Sequence, residues 1–229
     1  MFYDIKENFY NFCKKYVHLL AFFYYIFYLQ WFTYLEKFFN NLDNVYIIDF
    51  TPDKYVPFIE IFIIPYFLWF FYVFFAMIFF AIVDKAEFLK FCLILYFGMT
   101  VALIIYTILP NGHNLRPVYF ERDNIFIDWI KYLYASDTST NVLPSIHTFN
   151  SIAVHYMIIT SKHIKSFIIK VLSAVLMVLI VLSTIFLKQH SILDVISAII
   201  LFFVIIAVCN FKDFKNTKNK DEFMKDYQL

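Results

Sequence analysis

The chain has 229 residues, 62% of them hydrophobic and 16% charged, with a mean hydropathy of +0.68 and a formal net charge of +1. A soluble domain of this length cannot hide so much apolar surface, so the composition places the chain in lipid, and a near-neutral charge offers no footing for nucleic acid. Cys13, Cys92 and Cys209 lie in or beside apolar runs, with no Cys-x-x-Cys and no paired histidine, which argues against a disulfide framework and a zinc site.

A bilayer core takes about 20 apolar residues per helix. Six segments approach that length: Tyr16–Leu35, Phe58–Val83, Phe88–Leu109, Leu143–Thr160, Phe167–Leu187 and Ser191–Cys209. The first has no small-residue cleavage site after it, so it reads as a retained span. The second opens at Pro57, a good first-turn residue, and Pro65 within it predicts a kink. Residues 40–57 and 110–142 form the two long connections, and Glu121–Tyr134 reads as a short amphipathic helix on the surface. The expected fold class is all-α, a six-transmembrane-helix bundle in one domain over residues 1–211, followed by a charged, mobile cytoplasmic tail over 212–229. With the N-terminus inside, the cytoplasmic segments carry 13 Lys and Arg against 6 on the other face, which puts both termini in the cytoplasm.

Three polar stretches then fall on the outer face. In "LPNGHNLRP" (109–117), the Asn111-Gly112 turn delivers Arg116 just above the membrane, and the planar fork of Arg matches phosphate oxygens two at a time. In "NVLPSIH" (141–147), Asn141 is a candidate cap and Pro144 suits a first turn. Ser145 and His147 then sit beside free backbone N–H groups at the positive end of a helix. In "KQHSILD" (188–194), Asp194 lies one turn beyond His190, where its carboxylate can fix the imidazole tautomer and free the other ring nitrogen as nucleophile or base. Each stretch alone is weak evidence; an Arg, a Ser-x-His and a His-x3-Asp in order on one face are not.

With these residues the chain resembles the type 2 phosphatidic acid phosphatase (PAP2) superfamily, which includes vanadium haloperoxidases and lipid head-group transferases. Pro144-Ser145-Ile146-His147 is complete for that family's Pro-Ser-x-His. Arg116-Pro117 keeps the end of Lys-x6-Arg-Pro, with Leu109 in place of Lys. Ser183, His190 and Asp194 keep the spacing of Ser-Arg-x5-His-x3-Asp, with Thr184 in place of Arg. The resemblance implies a PAP2/haloperoxidase-like core and a metal-independent, cofactor-free lipid phosphatase. His190 would attack phosphorus, Asp194 orient it, and His147 protonate the leaving group, while Arg116 and Ser145 bind phosphoryl oxygens. Lys188 is the candidate replacement for a lost cation, with His113 as a second. The two substitutions are similar to the inositol phosphorylceramide synthase-like branch, so head-group transfer and a non-catalytic lipid-binding role stand as alternatives. The expected partners are a lipid phosphate and membrane lipids, the expected location a bacterial plasma membrane, with the site at its outer face.

Overall fold

A computed structural model describes residues 15–39 and 42–226, with side chains described as far as Cys209. Seven α-helices follow in order: α1 (Tyr24–Phe38), α2 (Ile63–Val83), α3 (Lys85–Ile108), α4 (Ile125–Ser136), α5 (Ile146–Thr160), α6 (Phe167–Phe186) and α7 (Ile192–Asp226). Two-residue strands β1 (Tyr46–Ile47) and β2 (Asn111–Gly112) pair in parallel and tie the two long connections together. Cys13 and the side chains of the expected tail, 212–229, lie outside the described residues.

Among the described residues, four helical segments are long and apolar enough to cross a membrane: Glu60–Val83, Lys85–Ile108, Phe167–Phe186 and Ile192–Cys209. These helices carry exposed Phe70, Phe71, Phe74, Phe75, Phe167, Ile168 and Leu172, apolar surface that suits contact with lipid. The chain is therefore a mostly helical integral membrane protein. The six-span expectation resolves into these four and two shorter helices. α1 and α5 have 15 residues each, roughly 22 Å at 1.5 Å per residue, against a hydrocarbon core of about 30 Å. A 3-10 segment, Val17–Phe23, leads into α1. α5 needs no lipid-facing surface, because it packs against α2, α3, α6 and α7 and buries Phe149, Ala153, Val154 and Met157 in the main core.

Capping explains most helix starts. Asp84 accepts from the Ala86 and Glu87 N–H groups at α3, Asn124 from Phe126 and Ile127 at α4, and Ser166 from Ile169 at α6. α7 is capped from far along the chain: Asp53 accepts from the Ile192 N–H at 2.8 Å and from the Ser191 hydroxyl at 2.5 Å. Pro65 falls in the first turn of α2, where a missing N–H is tolerated, so the expected kink becomes a junction with the 3-10 turn Glu60–Phe62. The expected surface helix is present as α4, shifted a few residues C-terminal by the Asn124 cap, and its Ile127, Ile130 and Leu133 pack on Ile63 and Tyr66 in a second small core.

α3 and α5 meet closely at Gly98. A Cβ there would lie 2.0 Å from Phe149 Cζ, and Phe149 is itself buried. Gly98→Ala should therefore cost about 1–3 kcal/mol through overpacking, read as a lowered thermal midpoint in detergent. Adding Phe149→Leu should recover part of the loss, since the clash is with the ring.

Candidate active site

The N-terminal ends of α5 and α7 are joined before any side chain is considered. The Ser145 N–H donates to the Asp194 carbonyl at 3.1 Å, and Tyr106 on α3 donates to the Pro144 carbonyl at 2.6 Å. The cap of α5 is Ser145, whose Oγ accepts from the Thr148 N–H at 3.3 Å. Asn141, the sequence's candidate, instead sits in the left-handed region at φ 55°, four residues before the cap. The segment before α5 is held by Asn111: its Oδ1 accepts from the Val142 and Leu143 N–H groups, and its Nδ2 donates to the Leu109 and Leu143 carbonyls.

On this frame three side chains form a line. Asp194 Oδ2 lies 3.2 Å from His190 Nδ1 and accepts from the Ser191 N–H at 2.8 Å. His190 Nε2 lies 3.4 Å from His147 Nδ1. The carboxylate can only accept, so His190 carries its proton on Nδ1, and its Nε2 lone pair faces the Nδ1–H of His147. The His147 ring is packed against Tyr66 and Trp69, with centroids 4.8 and 4.3 Å away. Burial pushes the His190 imidazole down to about 3, so the ring is uncharged at neutral pH. An oriented, uncharged imidazole with a free lone pair is a nucleophile, and a second imidazole touching that lone pair can carry a proton.

Both histidines line a cavity of about 400 Å³ whose walls include Tyr28, Phe32, Trp69, Glu36, Asp137 and Gln189. His147 and His190 thus share the cavity; Asp194 stands behind His190, and Ser145 is tied to Asp194 through its backbone N–H, neither of them lining the cavity. Arg116 approaches without lining the cavity. Its Nη1 donates to the Tyr134 and Asp137 carbonyls at 3.3 and 2.8 Å, and its Nη2 to the Thr138 carbonyl at 2.7 Å and to Gln189 Oε1. The guanidinium stacks over the Tyr134 ring at 4.5 Å, and burial lowers its affinity for a proton.

Lys188 does not join the cluster. Its Nζ donates to the Asp53 and Val56 carbonyls at 3.0 and 2.6 Å, and it lines a separate cavity beside Asn114 and Leu115. The physical reason is the tight turn after α6: Lys188 adopts φ 53°, which points it away from the face that His190 takes two residues later. His113, with no exposed surface, accepts the Leu115 N–H at Nδ1 and therefore donates from Nε2 to the Gln189 carbonyl at 2.9 Å. Burial lowers its pKa, so it is a neutral backbone tie and not a cation. Thr184 likewise serves the turn, its carbonyl accepting from the Gln189 and His190 N–H groups.

Sequence reasoning missed Gln189, Glu36, Asp137 and Trp69. Gln189 adjoins His190 and could have been found from that position alone; the others come from distant segments. A group of side chains able to chelate a metal ion lies elsewhere: Asp84, Glu87 and His163 cluster at the opposite end of the bundle, where Asp84 also takes the Lys162 ammonium at 2.8 Å.

A carboxylate–histidine–histidine line beside a cavity, carried on the ends of membrane-length helices, defines the class of helical membrane proteins with a polar site between helix ends. The chain belongs to the PAP2 superfamily, whose family model matches residues 91–218 and so takes in every site residue expected from the sequence. No curated protein and no solved structure matches it.

The His190 geometry gives a direct expectation. A histidine with an ordinary pKa near 6.5 gains its proton between pH 8 and 5; His190, held near 3, should not. In the 15N-histidine-labelled protein its ring resonances should stay at neutral-tautomer positions down to pH 5.

Proposed function

We propose that this protein hydrolyses a lipid phosphate or pyrophosphate through a phosphohistidine on His190. Membership of the PAP2 superfamily supports a phosphatase-type or related activity. The observation that carries the finer reading is the line from Asp194 through His190 to His147.

In the first step His190 Nε2 attacks phosphorus. The P–N bond forms as the P–O bond to the lipid alcohol or phosphate breaks, and the leaving oxygen takes a proton from His147, which enters the step as imidazolium beside the substrate's negative phosphate and is left neutral by it. In the second step His147 removes a proton from water, the resulting oxygen attacks phosphorus, and the P–N electron pair returns to His190. Asp194 stays ionised and stabilises the charge that the ring gains while it holds the phosphoryl group. The nucleophilic nitrogen now faces His147 at 3.4 Å, so the phosphoryl group enters between the two rings and His147 slides over Tyr66 and Trp69.

The phosphoryl oxygens would be held by the Ser145 hydroxyl and by Gln189 Nε2, a buried donor without a partner. Arg116 acts through Gln189, by fixing which end of the amide faces the site. Lys188, expected to bind substrate, contributes here by holding the turn. The substrate classes that suit this reading are phosphatidic acid, polyprenyl pyrophosphate and phosphatidylglycerol phosphate, with the site at the outer leaflet of a bacterial plasma membrane and both termini cytoplasmic. A second reading, transfer of a phospho-head-group to a lipid alcohol, is favoured by Leu109 and Thr184 standing where motif cations are expected.

Phosphate release by the purified full chain over these lipids, with and without an acceptor alcohol, separates the readings. Hydrolysis requires release without acceptor, falling by about 10³-fold or more in His190→Ala. Product that forms only when acceptor is present would make the chain a transferase.

A further inference from the structure

The cavity beside the histidines is electrically unusual for a place that receives phosphate. Its wall carries two carboxylates, Glu36 from α1 and Asp137 from the loop after α4. Among the described residues neither forms an ion pair with a Lys or Arg. Glu36 is held by neutral donors only: Oε2 accepts from the Thr138 N–H at 3.3 Å and hydroxyl at 2.5 Å, and Oε1 from Asn141 Nδ2 at 3.0 Å. Asp137 accepts from the Tyr66 hydroxyl at 3.3 Å. Arg116, the nearest counter-charge, gives its Nη donors to carbonyls and to Gln189, so its charge acts on Asp137 and Glu36 from a distance and bonds neither carboxylate.

A second observation points to what is missing. Asn141 is 5% exposed and lines the same cavity, yet its Oδ1 has no partner. Its orientation is set, because Nδ2 is committed to Glu36. Gln189, 2% exposed, is the converse: Oε1 is committed to Arg116, and the donor Nε2 has no partner. The cavity is thus polarised, with one unmet acceptor and negative charge at one end and an unmet donor beside His190 at the other. An unmet buried polar group is costly, and buried charge more so. The two carboxylates also oppose each other, since burial and the Glu36 charge push Asp137 up to about 6.

We infer that the end formed by Glu36, Asp137 and Asn141 Oδ1 is an ammonium subsite, so that the preferred substrate is a lipid phosphate ester with an ammonium group a short spacer from its phosphate. The aromatic rings of Tyr28 and Tyr66 on the same wall suit a cation as well. The spacer is short because one guanidinium holds both ends: Arg116 bonds the Asp137 carbonyl and the Gln189 side chain together. Amino-alcohol phosphates with two carbons between oxygen and nitrogen have this form. They occur as long-chain amine monoesters and as zwitterionic diesters. In the monoester the long-chain alcohol leaves and inorganic phosphate is the final product. In the diester the P–O bond to diacylglycerol breaks, the diacylglycerol oxygen takes the proton, and water releases phosphoethanolamine from His190. The inference rests on His190 as the phosphorus nucleophile.

The test uses the purified full chain in mixed micelles with a sphingoid-base 1-phosphate, phosphatidylethanolamine, and the N-acetylated form of each. At least one free amine should exceed its acetylated form in kcat/KM by about tenfold or more, the weight of one charged hydrogen bond, and the arm that responds names the source. In Glu36→Gln and in Asp137→Asn that ratio should fall toward one. Ratios near one in the parent overturn the subsite, and so does a ratio that survives both variants, because a purely steric preference would survive them. Binding of the same four lipids to His190→Ala, followed by tryptophan fluorescence, gives the ratio without chemistry. An amine preference there with no turnover by the parent would sink the phosphohistidine reading and leave the subsite standing.

Discussion

The constraint on which the site depends is the Asp194 carboxylate, a group with no exposed surface at the start of a membrane-crossing helix. A buried charge is tolerated only where hydrogen bonds and dipoles replace water. Here Oδ2 serves both the Ser191 N–H and His190 Nδ1, Oδ1 has no partner among the described residues, and the positive end of α7 lies at the carboxylate. The backbone of the same residue receives the Ser145 N–H. One residue therefore orients the nucleophile and fixes the distance between the two helix ends that carry the histidines. Asp53, bound to Ser191 and Ile192, keeps α7 starting at that point.

A consequence is that the cations near the site are structural. Arg116 collects the carbonyls of Tyr134, Asp137 and Thr138 into one loop and turns Gln189 by its amide oxygen. Lys188 collects those of Asp53 and Val56. Positive charge reaches the cavity second-hand, through an amide, and the opposite wall is acidic.

Most of the axial chemistry was legible in the sequence because it is local. The His-x3-Asp spacing in "KQHSILD" gave the His190–Asp194 pair, and the Pro-Ser-x-His stretch put His147 in a first helical turn. What could not be read was where long side chains point. Lys188 was a reasonable stand-in for a lost arginine by position, but a left-handed backbone at that residue sends it to the other side of the turn. His113 was a candidate cation until its ring was found bridging two backbone groups. Glu36 lies 101 residues before Asp137, and nothing local to either announces that they share a wall. The six-span count is met only in part for a related reason: α1 and α5 are apolar enough to read as full spans, but a 3-10 lead and enclosure by neighbours leave each with 15 α-helical residues.

The proposed chemistry turns on His190 Nε2 as the atom that takes the phosphoryl group. Brief exposure of the purified protein to a 32P-labelled lipid phosphate, followed by alkaline quenching, measures this directly. The result expected is a base-stable, acid-labile label on His190, absent in His190→Ala and formed more slowly in Asp194→Asn. A label that persists in His190→Ala, or a protein that turns over lipid phosphate with no trapped label at any time, would contradict it.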